Sequence, residues 1–309
     1  MTIETRYSFY ILGSGLTAAF SIILSEIAIR PYGVPPLPVI IIGNLIGGAV
    51  LLLSAAGSLA DLARLRQRQN LGRVVAAALF IYAIGFLASF NAVKLIGSGK
   101  VALLGQLETV FVVILAIIFL GERLTAWRWS AGGVAILGVA FINFDLQAWQ
   151  FSLSWGEMLA LLAPLAVASG IITIKPVLDQ ADARLVTGVA LGLGGVFLVP
   201  LLLFNQTPIT LSGPIWAVIA AMGVMRGLAW LLYNLGLQHL GASRCAIIFL
   251  SYAFFTVLVQ LIVVTLAPGL DLQLPANLFA AVAGGLLVAA GIVILQMEPA
   301  LRRWAQRQV

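Results

Sequence analysis

One cysteine, Cys245, and one histidine, His239, occur among the 309 residues. The first excludes an internal disulfide, and the second a histidine-rich metal cluster. Charge is equally scarce, with Asp, Glu, Lys and Arg supplying 9% of the chain against 62% hydrophobic residues. No HExxH, CxxC, GxSxG or phosphate-loop pattern is present, so enzyme chemistry has no foothold and neither a metal nor a cofactor is expected. A mean hydropathy of +1.10 excludes a soluble globular chain and implies an integral membrane protein with many crossings. The net charge of +6 would suit nucleic acid. The basic residues sit in short loops between apolar runs, however, where orientation in the bilayer accounts for them. The expected surroundings are therefore lipid, and nucleic acid is not an expected partner.

Ten apolar segments of about 20 residues are each long enough to cross a hydrocarbon core of roughly 30 Å. They cover residues 7–28, 39–59, 72–93, 101–120, 127–144, 154–174, 185–204, 215–238, 243–266 and 276–296. The first lacks a small-residue cleavage site and reads as a retained span. Turns rich in Pro, Gly, Asp and Asn join them, among them PYGVPPLP, FNQTPITLSGP and APGLDLQLPAN. With the amino terminus inside, thirteen Lys and Arg residues fall in inner segments and three, Arg30, Lys94 and Lys100, in outer ones. That asymmetry predicts a multi-pass protein of the cell inner membrane with both termini cytoplasmic.

The chain repeats itself. IAIRP at 27–31 is echoed by ITIKP at 172–176, GGAVLL at 47–52 by GGVFLV at 194–199, and AGGVAILG at 131–138 by AGGLLVAA at 283–290. Between the fourth and ninth spans a shift of 144 residues aligns Gly97 with Gly241, Lys100 with Arg244, Ala102 with Ala246 and Phe111 with Phe255. Five spans is an odd number, so the second copy enters the membrane upside down relative to the first. The expected fold is thus an all-α membrane protein of ten transmembrane helices in two inverted five-helix repeats. Residues 1–148 and 149–309 are the two repeats of one structural unit, an arrangement suited to alternating access.

Within AMGVMRGLAWLLYN, residues 221–234, a permanent cation stands halfway along a span. A guanidinium at bilayer depth costs roughly 2.5–3.5 kcal/mol even on the lenient insertion scale, so it needs a partner, water or a ligand. Arg226, Trp230, Tyr233 and Asn234 share one helical face, which must look inward because lipid offers no hydrogen bonds. Glu108 lies 14 residues before Glu122, roughly 21 Å from that end of its span at a rise of 1.5 Å per residue, and so at similar depth. Under the 144-residue shift Arg226 corresponds to Tyr82 and Glu108 to Tyr252. Tyr82, Glu108, Arg226 and Tyr252 are therefore the expected polar ring around a two-fold axis, with Phe86, Trp230, Tyr233 and Asn234 completing a substrate site. Two readings of Glu108 and Arg226 stand side by side. They form an ion pair that only fixes helix packing, or they serve a solute or a proton.

Other residues carry blander expectations. Glu122 should anchor the inner end of the fourth span, while Glu26 and Glu157 sit near outer ends as solvated or vestibule-facing groups. Pro164 and Pro200 could kink their helices. The fifth and tenth spans, nearly devoid of polar groups apart from Gly132, Gly133, Gly284 and Gly285, belong at the periphery, where a homodimer contact could form. The basic run at 64–69 is a topology determinant that could touch anionic lipid.

The stretch GSGKVALLGQLETVFVVILAIIFLGERLTAWRWSAGGVAILGVAFIN, residues 97–143, with its LGE at 120–122 and Gly-rich fifth span, resembles the drug/metabolite transporter superfamily, in particular its EamA-type members. The resemblance implies two five-helix repeats and a small-molecule substrate such as an amino acid, a sugar, a nucleotide sugar or a toxic organic compound, often exported. A transporter and not an enzyme is therefore expected. A non-transporting receptor or assembly protein is the main alternative, and an intramembrane enzyme a weaker one.

Overall fold

The computed structural model describes residues 3–122, 125–142, 154–204 and 212–270, with scattered positions between 272 and 294. Among the described residues all regular structure is helical. The helices are α1 (Ile3–Ile29), α2 (Pro36–Ser54), α3 (Arg68–Ser98), α4 (Leu107–Leu120), α5 (Ala126–Ile142), α6 (Trp155–Leu178), α7 (Ala183–Leu198), α8 (Gly213–Leu240) and α9 (Ala242–Leu266). Seven of them are long and apolar enough to cross a membrane, α7 when counted with the turn that continues it to Phe204, and α4 and part of α5 are shorter apolar helices. The expected tenth span, 276–296, falls largely outside the described residues.

Local sequence sets the ends. Pro35 and Pro36 open α2, whose first turn needs no N–H from proline. Ser154 and Glu157 form a reciprocal capping box at the start of α6, so Glu157 is a helix cap. Gly121, at φ 66°, closes α4 in the left-handed conformation. Pro164 lies inside α6, and before Pro200 the chain tightens into a 3-10 turn, Val199–Phe204.

The expected fourth span, 101–120, is broken. Helix resumes after Gly97 (φ 78°, ψ 161°), runs to Gly105, turns at Gln106 and restarts as α4. Helix likewise resumes after Gly241 (φ 80°, ψ 162°), runs to Phe249, breaks at Leu250 and restarts at Ser251. Every one of these landmarks is related by the 144-residue shift that the sequence shows. Packing exchanges in the same way. α1 lies along α8 as α6 lies along α3, α1 touches α9 as α6 touches α4, and α2 packs on α7.

α1 and α8 run antiparallel, held by Ser14 Oγ donating to the Ala229 carbonyl at 2.8 Å and Ser21 Oγ to the Met222 carbonyl at 3.3 Å. At one end of this pair Tyr7 stacks on His239, 3.7 Å between centroids. At the other lies Glu26, which is 0% exposed. Bundle packing, and not solvent, surrounds Glu26, contrary to its expected place at a solvated end. Glu4 and Glu26 are 22 residues apart on α1, roughly 33 Å of helix, which matches a hydrocarbon core.

Glycine brings α2 against α8. Gly43 and Gly47 face Gly223 and Gly227 so closely that a Cβ on Gly47 would lie 2.6 Å from the Gly223 carbonyl, and one on Gly227 2.9 Å from that of Gly47. Both pairs are GxxxG motifs, GNLIG and GVMRG, which allow backbones in a membrane to meet without intervening side chains.

Candidate functional site

Six helical segments, three from each repeat, enclose a cavity of about 140 Å³. α1, α3, α4 with its preceding turn, α6, α8 and α9 line it, while α2, α5 and α7 stand behind. Six of the eight predicted residues, Phe86, Glu108, Arg226, Trp230, Tyr233 and Tyr252, reach its wall. Tyr82 and Asn234 do not.

Arg226 is 3% exposed. Along the α1–α8 register it lies opposite Thr17, near the middle of the bundle. Its Nη1 donates to Asn44 Oδ1 at 2.6 Å and to the Ile40 carbonyl at 3.4 Å, and its Nη2 donates to Met222 Sδ at 3.3 Å. The guanidinium carbon sits 4.7 Å from the ring centre of Phe86 and 4.8 Å from that of Phe90. Two ring faces and an amide oxygen thus replace the water that the cation gave up. These three bonds leave part of the guanidinium's donor capacity without a protein partner among the described residues, and Arg226 lines the cavity.

No ion pair joins Glu108 to Arg226 among the described residues, so the packing-only reading lacks its contact. Glu108 occupies the first turn of α4, directly after the break at Gln106. Glu108, Tyr233 and Tyr252 line the same cavity. Next to Glu108, Thr109 Oγ1 donates to the Ala246 carbonyl at 3.2 Å and ties α4 to α9.

A continuous aromatic chain forms much of the wall. Phe90, Phe86, Tyr82, Trp230, Tyr233, Phe249 and Tyr252 touch in sequence, with neighbouring centroids 5.1–6.0 Å apart. Such edge-on and offset contacts stiffen a wall while leaving apolar faces for a ligand.

Tyr82 is 0% exposed, wedged against Gly194, where an added Cβ would come within 2.3 Å of its own. The polar ring expected from the repeat therefore has three members at the cavity, not four. Residues Ala78–Gly85 form a π-helix, whose i→i+5 bonding rotates Tyr82 off the face that Phe86 presents. Tyr82 contributes its backbone carbonyl, which accepts from Asn44 Nδ2 at 2.9 Å. Asn234 likewise turns away from the cavity and donates to Thr187 Oγ1 on α7 at 2.7 Å.

Asn44, which orients the guanidinium, escaped the sequence reading. It stands inside GNLIG and Arg226 inside GVMRG, so a polar residue within each of two GxxxG motifs was the available signal. Phe90, Ser14, Ser21 and Thr109 were missed too. Serine, threonine and phenylalanine in apolar spans carry no mark that separates a lining position from ordinary packing.

The sequence profile of the EamA-like transporter family matches residues 5–144 and again residues 154–297. A solved structure, titled only "Crystal structure of protein", superposes with a TM-score of 0.72 at 17% sequence identity, over 95% of this chain and 97% of the other. That likeness concerns the fold. A search of curated proteins gave no match.

Proposed function

The chain belongs to the EamA-like transporter family, and from that premise we propose that it is a secondary transporter working by alternating access. Ten spans in two inverted repeats rock about the central cavity, which opens to one side of the cell inner membrane and then to the other. Both termini lie in the cytoplasm and the solute moves outward. The solute is a small organic metabolite, an amino acid or a related organic anion or zwitterion. Outer faces such as that of α5 adjoin lipid and offer a place for a homodimer contact.

The observation that carries this reading is Arg226, a mid-bundle residue that lines the cavity and forms no ion pair among the described residues. Its fork suits a carboxylate or phosphate bidentately. Glu108, in the same cavity, suits an ammonium, and the faces of Phe86, Trp230 and Tyr252 suit an apolar side chain. A receptor or assembly protein would be expected to pack this centre solid. An intramembrane enzyme would have to work with Glu108, Arg226 and tyrosines alone.

The test is counterflow into vesicles containing the purified protein, over a panel of amino acids, organic acids, sugars and organic cations. Arg226→Ala abolishes uptake while the protein stays folded in the membrane. Wild-type uptake by that variant, or no uptake of any solute by the parent protein, defeats the proposal.

A further inference from the structure

Two helix restarts, after Gly97 and after Gly241, lie at opposite ends of the bundle, and each is gripped by a carboxylate from a different helix. At the Gly241 end Glu122, the residue that ends LGE, accepts from the Ala242 N–H at 2.7 Å and the Ser243 N–H at 3.2 Å. Its Oε1 stands so close that a Cβ on Gly241 would meet it at 3.0 Å. One residue further on, Arg244 donates to Glu4 Oε2 of α1 at 3.0 Å. The ends of α1, α4 and α9 are joined there by charge.

At the Gly97 end Ser98 donates to Glu26 Oε2 in a very short contact. Gln260 Nε2 donates to Ser98 Oγ at 2.7 Å and reaches Glu26 Oε2 at 3.4 Å, while Arg30 holds the other carboxylate oxygen at 3.3 Å. Glu26, Ser98 and Gln260 are all 0% exposed. Ser98 and Ala242 are related by the 144-residue shift. The two restarts are held by different chemistry: Glu122, just past α4, accepts from backbone N–H groups, whereas at the first restart the Ser98 hydroxyl is held between Glu26 and the amide of Gln260 on α9.

We propose that these two clusters are the latches of the opposite gates, with Glu122 closing the Gly241 end and the Glu26–Ser98–Gln260 cluster closing the Gly97 end. The inference rests on the alternating-access reading above. A carboxylate on two free N–H groups at a helix start is a charge-assisted grip that breaks as a unit when the helix end moves away. The cavity lies between the two latches. Opening it toward either end requires the restart at that end to leave its carboxylate, while the other latch holds the remaining helices together.

The protein carries its own reporter. Cys245, the sole cysteine, is 0% exposed and lies one turn beyond Gly241. Its alkylation by N-ethylmaleimide, measured on the full chain in detergent, reads opening of the Gly241 end. Glu122→Ala raises that rate roughly tenfold, the weight of one lost cap. Glu122→Gln, with one oxygen left to accept, gives a smaller rise. Ser98→Ala, which frees the opposite end, leaves the rate at or below that of the parent.

A parental rate in Glu122→Ala overturns the proposal. So does an equal rise in Ser98→Ala, which would mean general loosening. Should the alanine variant not fold, Glu122→Gln decides by the same criterion. Because alkylation needs no solute, a changed Cys245 rate without counterflow in the parent would count against the transport reading alone.

Discussion

Asn44 offers the sharpest perturbation of the site, because its amide does two separable things. Its Oδ1 accepts from Arg226 at 2.6 Å, and its Nδ2 donates to the Tyr82 carbonyl at 2.9 Å. A hydrogen bond to a charged group contributes about 1.5–3 kcal/mol and a neutral one about 0.5–1.5 kcal/mol. Asn44→Ala forfeits both, yet the Ile40 carbonyl and the rings of Phe86 and Phe90 still attend the cation. The net loss should therefore be about 2 kcal/mol, which lowers the thermal unfolding midpoint by several degrees. Asn44→Asp keeps an acceptor toward Arg226 and makes it a carboxylate, so the guanidinium is neutralised in place. Its folded state should lie within about 1 kcal/mol of the parent, since the gained ion pair offsets the lost donor. The rise in midpoint that a bound amino acid or organic acid produces should nevertheless vanish. Differential scanning fluorimetry of purified protein, with and without solute, reads both effects. An unshifted midpoint in Asn44→Ala, or an undiminished solute response in Asn44→Asp, would refute the assignment of Asn44 as the holder of an anion-binding guanidinium.

Two further outcomes follow from the same geometry. Gly47→Ala pushes a methyl into the backbone of α8, where the nearest atom is 2.6 Å away and no side chain can yield. A loss of about 1–3 kcal/mol in stability is expected, whereas Gly72→Ala, exposed within a helix and with open space around it, should raise stability by about 0.4–1 kcal/mol. Replacing Phe86 and Phe90 together by Leu removes both faces over the guanidinium and should cost about 1–2 kcal/mol. A titration of solute affinity in that double variant tests whether the rings hold the cation in place for its ligand.

Much of this molecule was legible in its residues. The apolar runs, the shift of 144 residues and the depth of Glu108 and Arg226 follow from composition and helical rise, which depend only on neighbours along the chain. The broken fourth span was harder to read, since Gln106 and Leu250 are ordinary helix residues. Their turns occur where two copies of a helix meet across the bundle. Tyr82 was misplaced because a π-helical segment is a tertiary accommodation, here to the close approach of Gly194. Glu26 was misplaced because a carboxylate near the end of a span looks solvated until Ser98 and Gln260 are seen to enclose it.

By itself, then, the order of residues settled that the chain is a membrane protein, that its halves repeat, and that a cation stands within one of its apolar helices. Which atoms attend that cation was decided only by packing. Asn44 reaches Arg226 because four glycines let two backbones meet, and Glu108, in the first turn of a helix that restarts after Gln106, lines the cavity with no ion pair among the described residues. Hydrophobicity acts residue by residue and can be read from a string. The partners of a buried charge depend on distances between segments that are remote in sequence, and only the folded bundle fixes those.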